Sequence, residues 1–178
     1  MKFSRAILSI VVFSAISSMN AFASDNTITF LGEVADETCS VTVNGVAASP
    51  TVLLPTVSAS SLTNAADTAG QTTFDIGVSE CTGSSSGVTI STVFVGNNVS
   101  SGTGNLINTG TAGNVEIQVL DTSDAAIDFR NNFNGAGDLS LAADETSASA
   151  TYTAQYYSTG GATTGTVESS MQYSVSYQ

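Results

Sequence analysis

The chain has 178 residues, of which 42% are hydrophobic and only 10% charged, and its formal net charge is −12. With three basic side chains, it has no basic patch that could neutralise nucleic-acid phosphates or hold an anionic lipid surface. The chain has no histidine, which is the usual base at neutral pH, and its two cysteines alone cannot make a zinc site. The sequence therefore predicts no enzyme, no metal site and no cofactor.

The first 23 residues have the pattern of a secretory signal peptide. A basic start precedes an apolar run over residues 6–16, and residues 21–23 (Ala-Phe-Ala) supply a cleavage site. The alternative is a membrane anchor, but the run is shorter than the ~20 apolar residues that a spanning helix needs. We therefore expect export and a mature chain of residues 24–178, in which Arg130 is the single basic residue against 15 acidic ones.

The segment after cleavage, residues 24–35, carries one amphipathic run. Side chains along a strand point alternately to opposite faces, so its even-numbered positions form an apolar face and its odd-numbered positions a mostly polar one. The even face consists of Ile28, Phe30, Gly32 and Val34, and the odd face of Thr27, Thr29, Leu31 and Glu33. Such a run predicts a strand that needs a groove to cover its apolar side.

Residues 36–178 alternate with a period of two and hold no long helical period, which predicts a single all-β domain, an antiparallel sandwich. We expect a turn at Asn44-Gly45, one helical turn within residues 61–66, and turn or loop over residues 121–137. The expected strands cover residues 37–43, 51–54, 71–81, 87–95, 106–107, 115–120, 147–157 and 166–177.

The last expected strand reaches the end of the sequence. It places Met171, Tyr173, Val175 and Tyr177 on one face. A strand in this position has no later strand of the sequence to pair with, and long open edges are normally blocked in native proteins. We therefore expect a partner strand from another molecule.

The cysteines, the acidic loop residues and the tyrosines are the remaining candidates for a disulfide, a catalytic site or a binding site. Two cysteines in an exported chain favour one disulfide, with a pair of buried free thiols as the alternative. Asp121, Asp124 and Asp128 would suit a calcium loop or a carboxylate pair, but their spacing matches no EF-hand and favours solvated turn acids. Tyr152, Tyr156 and Tyr157 would suit a sugar site, although alternating tyrosines on a strand more often belong to a core or to cross-strand pairs.

Several pieces of the sequence follow one another in a specific order and spacing. They are residues 30–34 (Phe-Leu-Gly-Glu-Val), 39–41 (Cys-Ser-Val), 52–57, 69–76 leading to Cys81, Gly165 fourteenth from the end and Tyr177 as the penultimate residue. In this order the chain resembles the major pilin subunits of the chaperone–usher pathway, which build type 1-like fimbriae. The resemblance covers essentially all of residues 24–178, with Leu54 doubling the apolar residue before Pro55 and Gly77 interrupting a regular strand.

This resemblance implies an incomplete immunoglobulin-like antiparallel sandwich that lacks its last strand and has a groove along the C-terminal strand. In the family, a periplasmic chaperone first fills the groove. At the outer-membrane usher, the N-terminal extension of another subunit replaces the chaperone, which is donor-strand exchange.

Carried over to this chain, the resemblance gives roles to particular residues. Ile28, Phe30 and Val34 become donor residues that fill pockets of the groove, and Gly32 fits where the groove has no room for a side chain. Cys39 and Cys81 become a disulfide between the first two strands. The groove edge and the chaperone-recognition tail comprise Gly165, Met171, Tyr173, Val175 and Tyr177.

The sequence therefore predicts a structural subunit of a surface fimbria that supports cell adhesion. Its expected partners are other copies of itself, other pilins of the same fimbria, a periplasmic chaperone and an outer-membrane usher. The alternative is a minor, adaptor or tip pilin with carbohydrate-binding adhesin activity. A tip adhesin of this family carries a separate receptor domain, for which residues 24–178 leave no room.

Overall fold

The computed structural model describes residues 38–47, 50–82 and 85–177. Apart from a 3-10 turn at Ala59–Ser61, the regular elements in these ranges are all strands. No helix in them is long and apolar enough to cross a membrane. The strands are β1 (Thr38–Val43), β2 (Val46–Ala47), β3 (Thr68–Thr82), β4 (Val88–Gly96), β5 (Leu106–Ile107), β6 (Val115–Leu120), β7 (Phe133–Leu141), β8 (Ala148–Ser158) and β9 (Met171–Tyr177).

The strands form two sheets in which every pairing is antiparallel. One sheet has the order β2-β1-β3-β8-β6-β5 and the other has the order β7-β4-β9. The longest ladder joins β3 to β8 through nine residue pairs, and β4 pairs with β9 through seven. The prediction of an all-β antiparallel fold is therefore confirmed. The predicted signal peptide and the run at residues 24–35 lie outside the described residues.

The core lies between the two sheets and uses the alternating faces that the sequence indicates. Phe74 and Ile76 of β3 and Ile90 and Phe94 of β4 are all buried. Fully burying an aliphatic or aromatic side chain of this size contributes roughly 1.5–3 kcal/mol. The β1–β2 hairpin turns at Asn44 and Gly45, both with positive φ (50° and 75°), as an Asn-Gly turn between twisted strands requires.

Tyr152 of β8 lies at the centre of the core and ends in a polar cluster. Its ring contacts those of Phe74 and Phe94 at centroid distances of 5.8 and 4.9 Å. Its hydroxyl donates to Asp138 Oδ2 and shares a hydrogen bond with Thr92 Oγ1. Burial, reinforced by the Asp138 carboxylate, raises the pKa of Tyr152 well above its ordinary value. Tyr152 is fully buried, so its interpretation as a core residue is confirmed.

We expect Tyr152→Phe to lower the free energy of unfolding by about 1–3 kcal/mol at pH 8, because Asp138 and Thr92 lose their buried partner. Unfolded tyrosine ionises near pH 10, whereas folded Tyr152 stays neutral at that pH. The raised pKa therefore contributes stability that is complete below pH 10 and is lost as the pH rises further. The deficit of the variant should shrink accordingly, as measured by guanidinium unfolding at pH 8 and above pH 10.

Tyr157→Phe is the matched control, because Tyr157 is on the same strand and only half-buried. It should change stability by less than about 0.5 kcal/mol. A Tyr152→Phe protein as stable as the wild type at pH 8 would contradict the role of the cluster.

Three predicted elements differ from the structure in their bounds or pairing. Residues 51–54 were expected to form a strand, but they form no ladder with a described strand. Their backbone is nevertheless extended, since Val52 and Leu54 pack against the core while Leu53 is exposed. The last strand begins at Met171 instead of residue 166. The helical turn lies at Ala59–Ser61, slightly before the predicted residues 61–66.

Strand β7 was not predicted, because its sequence lacks a regular alternation. Gly135 pairs with Thr92 and Leu139 with Ile90, so three residues of β7 stand opposite one residue of β4. Gly137 within this bulge has a φ of +79°. A bulge of this kind shifts the inward-facing positions and removes the period of two from which a strand is recognised. The expected loop over residues 121–137 is therefore wrong for its last residues.

Candidate functional site

A groove of about 920 Å³ runs along the start of β9. One rim is formed by residues 50–54 and the other by residues 167–173. The three-stranded sheet ends at β9, and core-facing side chains of the six-stranded sheet lie beyond this edge. They form an apolar floor that consists of Val43, Phe74, Ile76, Leu106, Ile117, Val119, Ala154 and Tyr156.

The first rim owes its shape to an extended run that ends at a proline. Val52 and Leu54 turn inward and pack against the core. Leu53 between them turns outward, and 81% of its surface is exposed. Pro55 follows and removes one backbone donor, which disfavours continuation of a paired strand. This rim therefore combines inward apolar side chains with one outward leucine.

The second rim runs from residue 167 into the start of β9, and the inward face of β9 agrees with the sequence pattern. Met171 and Tyr173 line the groove. Val175 and Tyr177 pack against the core on the same face, further along the strand. The hydroxyl of Tyr177 accepts a hydrogen bond of 3.0 Å from the backbone N–H of Cys39, so the end of β9 is held beside the start of β1.

A strap, which we define as residues 159–170, contributes residues 167–170 to the second rim and holds the start of β9. It is hydrogen-bonded to residues 107–114, for example from Ala112 N to Thr166 O (2.9 Å) and from Thr109 N to Glu168 O (2.8 Å). The Asn108 side chain adds four hydrogen bonds within and across this contact. The role of Asn108 has no sequence signal beyond its position in an Asn- and Gly-rich loop.

Gly165 lies in the strap and not among the residues that line the groove. A Cβ atom at this position would lie 2.4 Å from Ala112 N. Glycine is therefore required here for close backbone packing between the strap and residues 107–114. Gly165 therefore acts on the groove indirectly, because it positions the strap and residues 167–170 of the strap belong to the second rim.

The disulfide between Cys39 and Cys81 is confirmed. It joins β1 to β3 with a Cα–Cα distance of 4.1 Å, and the alternative of free thiols is wrong. Cys81 is buried in the core and Cys39 is half-buried against it. The four predicted donor residues, Ile28, Phe30, Gly32 and Val34, lie outside the described residues.

The acidic loop residues make local contacts. Asp121 Oδ1 accepts from Ser123 N (2.8 Å) and from Ala125 N (2.9 Å), which caps a turn. Asp128 is paired with Arg130, and hydrogen bonds from Arg130 lower the pKa of this carboxyl group. In the part of the chain that the structure describes, no group of three or more His, Cys, Asp or Glu side chains is placed to hold a metal ion.

Comparison with known proteins identifies the family of the chain. Residues 28–178 match the family model that is described as "Fimbrial protein". The chain belongs to the fimbrial protein family. As a member of this family, it is a structural fimbrial protein that is exported to form part of a surface fimbria, and it is not an enzyme.

This fimbrial protein is similar to several curated proteins over nearly its whole length. It is 38% identical over 176 residues to the F17 fimbrial protein of Escherichia coli, with 94% of this chain and 95% of that protein covered. It is 33% identical to the major fimbrial subunit SMF-1 of Stenotrophomonas maltophilia, with 92% and 98% covered. It is also 30% identical to the minor fimbrial subunit HifD of Haemophilus influenzae, with 94% and 81% covered.

Solved structures support the fold of this fimbrial protein. The P pilus rod subunit PapA superposes with a TM-score of 0.60 at 19% identity, covering 79% of this chain and 99% of that one. A subunit from the structure of a chaperone–usher pilus, solved to explain rod uncoiling, also gives a TM-score of 0.60, at 20% identity, with 87% and 96% covered. The two-sheet fold of this chain is therefore shared with these two solved structures.

Proposed function

We propose that this fimbrial protein is the major structural subunit of a chaperone–usher fimbria, supports cell adhesion through the fibre, and polymerises by donor-strand exchange. Residues 24–35 of one copy would lie in the groove of the next copy. The observation that carries the proposal is the apolar floor between residues 50–54 and β9, which is suited to a strand with alternate apolar side chains.

The dimensions and the pattern of the two partners support this pairing. Strand β9 has seven residues, as has the run from residue 28 to residue 34, which gives both a length of about 23 Å at about 3.3 Å per residue. Ile28, Phe30 and Val34 would each contribute roughly 1.5–3 kcal/mol on full burial. Gly32 would lie where the groove has least room for a side chain.

The geometry of the contact favours a filament over a closed dimer. A donor segment in one copy and a groove in the next make a heterologous, head-to-tail contact, which extends without closing. Before assembly, the groove would be occupied by a strand of a periplasmic chaperone that recognises β9 and its end at Tyr177. The outer-membrane usher would then be the place of exchange.

The proposal predicts that a synthetic peptide of residues 24–36 displaces the chaperone from a purified chaperone–subunit complex. Release of free chaperone, followed by size-exclusion chromatography, measures the exchange. A peptide with Ile28→Asp and Val34→Asp should not displace it, because two buried carboxylates without partners are strongly disfavoured. Equal displacement by both peptides, or by neither, would contradict groove binding by this segment.

A minor or adaptor subunit is the second candidate, and the 30% identity to the minor subunit HifD supports it. Such a subunit would have the same donor segment and groove, so peptide exchange does not separate the two roles. The two roles are separated by the amount of this chain in sheared, purified fibres. A major subunit should be the bulk protein of the fibre, whereas a minor subunit should be present in a small number of copies.

A further inference from the structure

Leu53 stands out on the rim of the groove because it is apolar and faces outward. Of its surface, 81% is exposed, while Val52 and Leu54 on either side pack against the core. Across the groove, Gln172 and Ser174 of β9 are polar and exposed. Single exposed leucines are common on protein surfaces, so the position of Leu53 matters more than its exposure.

The outward face of the donor segment has a matching feature. Its odd-numbered positions are Thr27, Thr29, Leu31 and Glu33, and Leu31 is the one apolar residue among them. A strand that directs Phe30 and Gly32 toward the floor of the groove directs Leu31 away from it, since the side-chain period is two. Leu31 and Leu53 would then project from the same outer surface, on two adjacent extended segments.

We infer that Leu31 of one copy packs against Leu53 of the next copy, on the outside of the groove. This inference rests on the proposed function and specifies a contact within that interface. Side chains directly opposite each other on adjacent strands lie roughly 5 Å apart, close enough for two leucines to shield each other from water. The partner of Leu53 is therefore a second copy of this chain.

The contact would also help to set the register of the donor strand. A slip of one residue turns the apolar face outward and is strongly disfavoured, but a slip of two residues keeps the faces in place. The Leu31–Leu53 pair distinguishes these two-residue alternatives, because a slip places Thr29 or Glu33 beside Leu53 instead of Leu31. The pair thus favours one register among those that keep the inward apolar side chains in the groove.

The direct test is cysteine cross-linking in assembled fibres. A chain with Leu31→Cys and Leu53→Cys should form a ladder of covalent multimers on non-reducing denaturing gels, because neighbouring Cβ atoms suit a disulfide. The matched controls combine Leu53→Cys with Thr29→Cys or with Glu33→Cys, and they should cross-link far less. Normal fibres in which the Leu31 pair cross-links no better than the controls would overturn the inference and leave the proposed function intact.

A peptide measurement covers the case in which the cysteine variants fail to assemble. A peptide of residues 24–36 with Leu31→Ser should dissociate about two- to fivefold faster from the wild-type subunit than the unchanged peptide does. The two peptides should dissociate equally fast from a Leu53→Ser subunit, and Val46→Ser, which changes another exposed apolar residue, should preserve the difference. An undiminished difference in the Leu53→Ser subunit would overturn the contact, and failure of every peptide to bind would instead contradict the proposed function.

Discussion

Phe30→Arg in every copy of the chain should abolish fibres while the subunit still folds and is captured by its chaperone. The variant loses the burial of a phenylalanine, roughly 1.5–3 kcal/mol, and places an unpaired charge on an apolar floor at a cost of several kcal/mol more. Together these terms correspond to a loss of binding on the order of a thousandfold or more. Electron microscopy of the cells and the yield of soluble chaperone–subunit complex measure the two outcomes.

Thr29→Arg is the matched control for this prediction. It introduces the same charge one residue earlier, on the face that we expect to remain in water, and fibres should form normally. Fibres of normal length from the Phe30→Arg chain would contradict the donor assignment. Loss of the chaperone complex would instead show that residue 30 acts in folding of the subunit.

Removing the disulfide with Cys39→Ser and Cys81→Ser should lower the free energy of unfolding by about 4 kcal/mol. The bond closes a loop between residues 42 positions apart, and the chain-entropy model gives this value for such a loop. Small domains are stabilised by only about 5–15 kcal/mol in total, so the loss is a large fraction. We expect little soluble chaperone–subunit complex and increased degradation in the periplasm, as measured by immunoblotting and pulse–chase labelling.

Ser40→Ala controls for substitution at this place in β1, because Ser40 is exposed and its side chain contacts Glu80 at the surface. It should leave the yield of complex unchanged. A double serine variant that accumulates and unfolds like the wild type would show that the hydrogen bonds of the β1–β3 ladder are sufficient without the covalent bond.

The sequence predicts most of the fold because most strands have one solvent-exposed face and one buried face. Residues 71–81 and 87–95 alternate for most of their length, and the structure has residues 71–81 in β3 and residues 88–95 in β4. Strand β7 cannot be predicted from the sequence pattern, because its bulge around Gly137 breaks the alternation of buried and exposed side chains. Residues 51–54 have a strand-like pattern, but strand assignment also requires a partner ladder, which a local pattern cannot supply.

The candidate site is predictable only in part for a similar reason. The inward face of β9 can be recognised from alternation, and the Cys39–Cys81 pair from the cysteine count and compartment. The strap depends on hydrogen bonds to residues 107–114, which lie 45 or more positions away, such as that between Thr111 and Thr166, and no local pattern reveals them. The contact of Tyr152 with Asp138 was missed because Asp138 belongs to the strand that the bulge conceals.

Tension along a fibre would reach each domain through the chain ahead of β1. It would meet the Cys39–Cys81 bond one residue after β1 begins, and this bond passes the load directly to β3. Strand β1 therefore cannot be peeled from β3 one hydrogen bond at a time, and the load is carried by β3, which is joined to β8 by nine paired positions. In the proposed fibre, traction on the donor segment would therefore be borne by the β3–β8 ladder and would not separate β1 from the sheet.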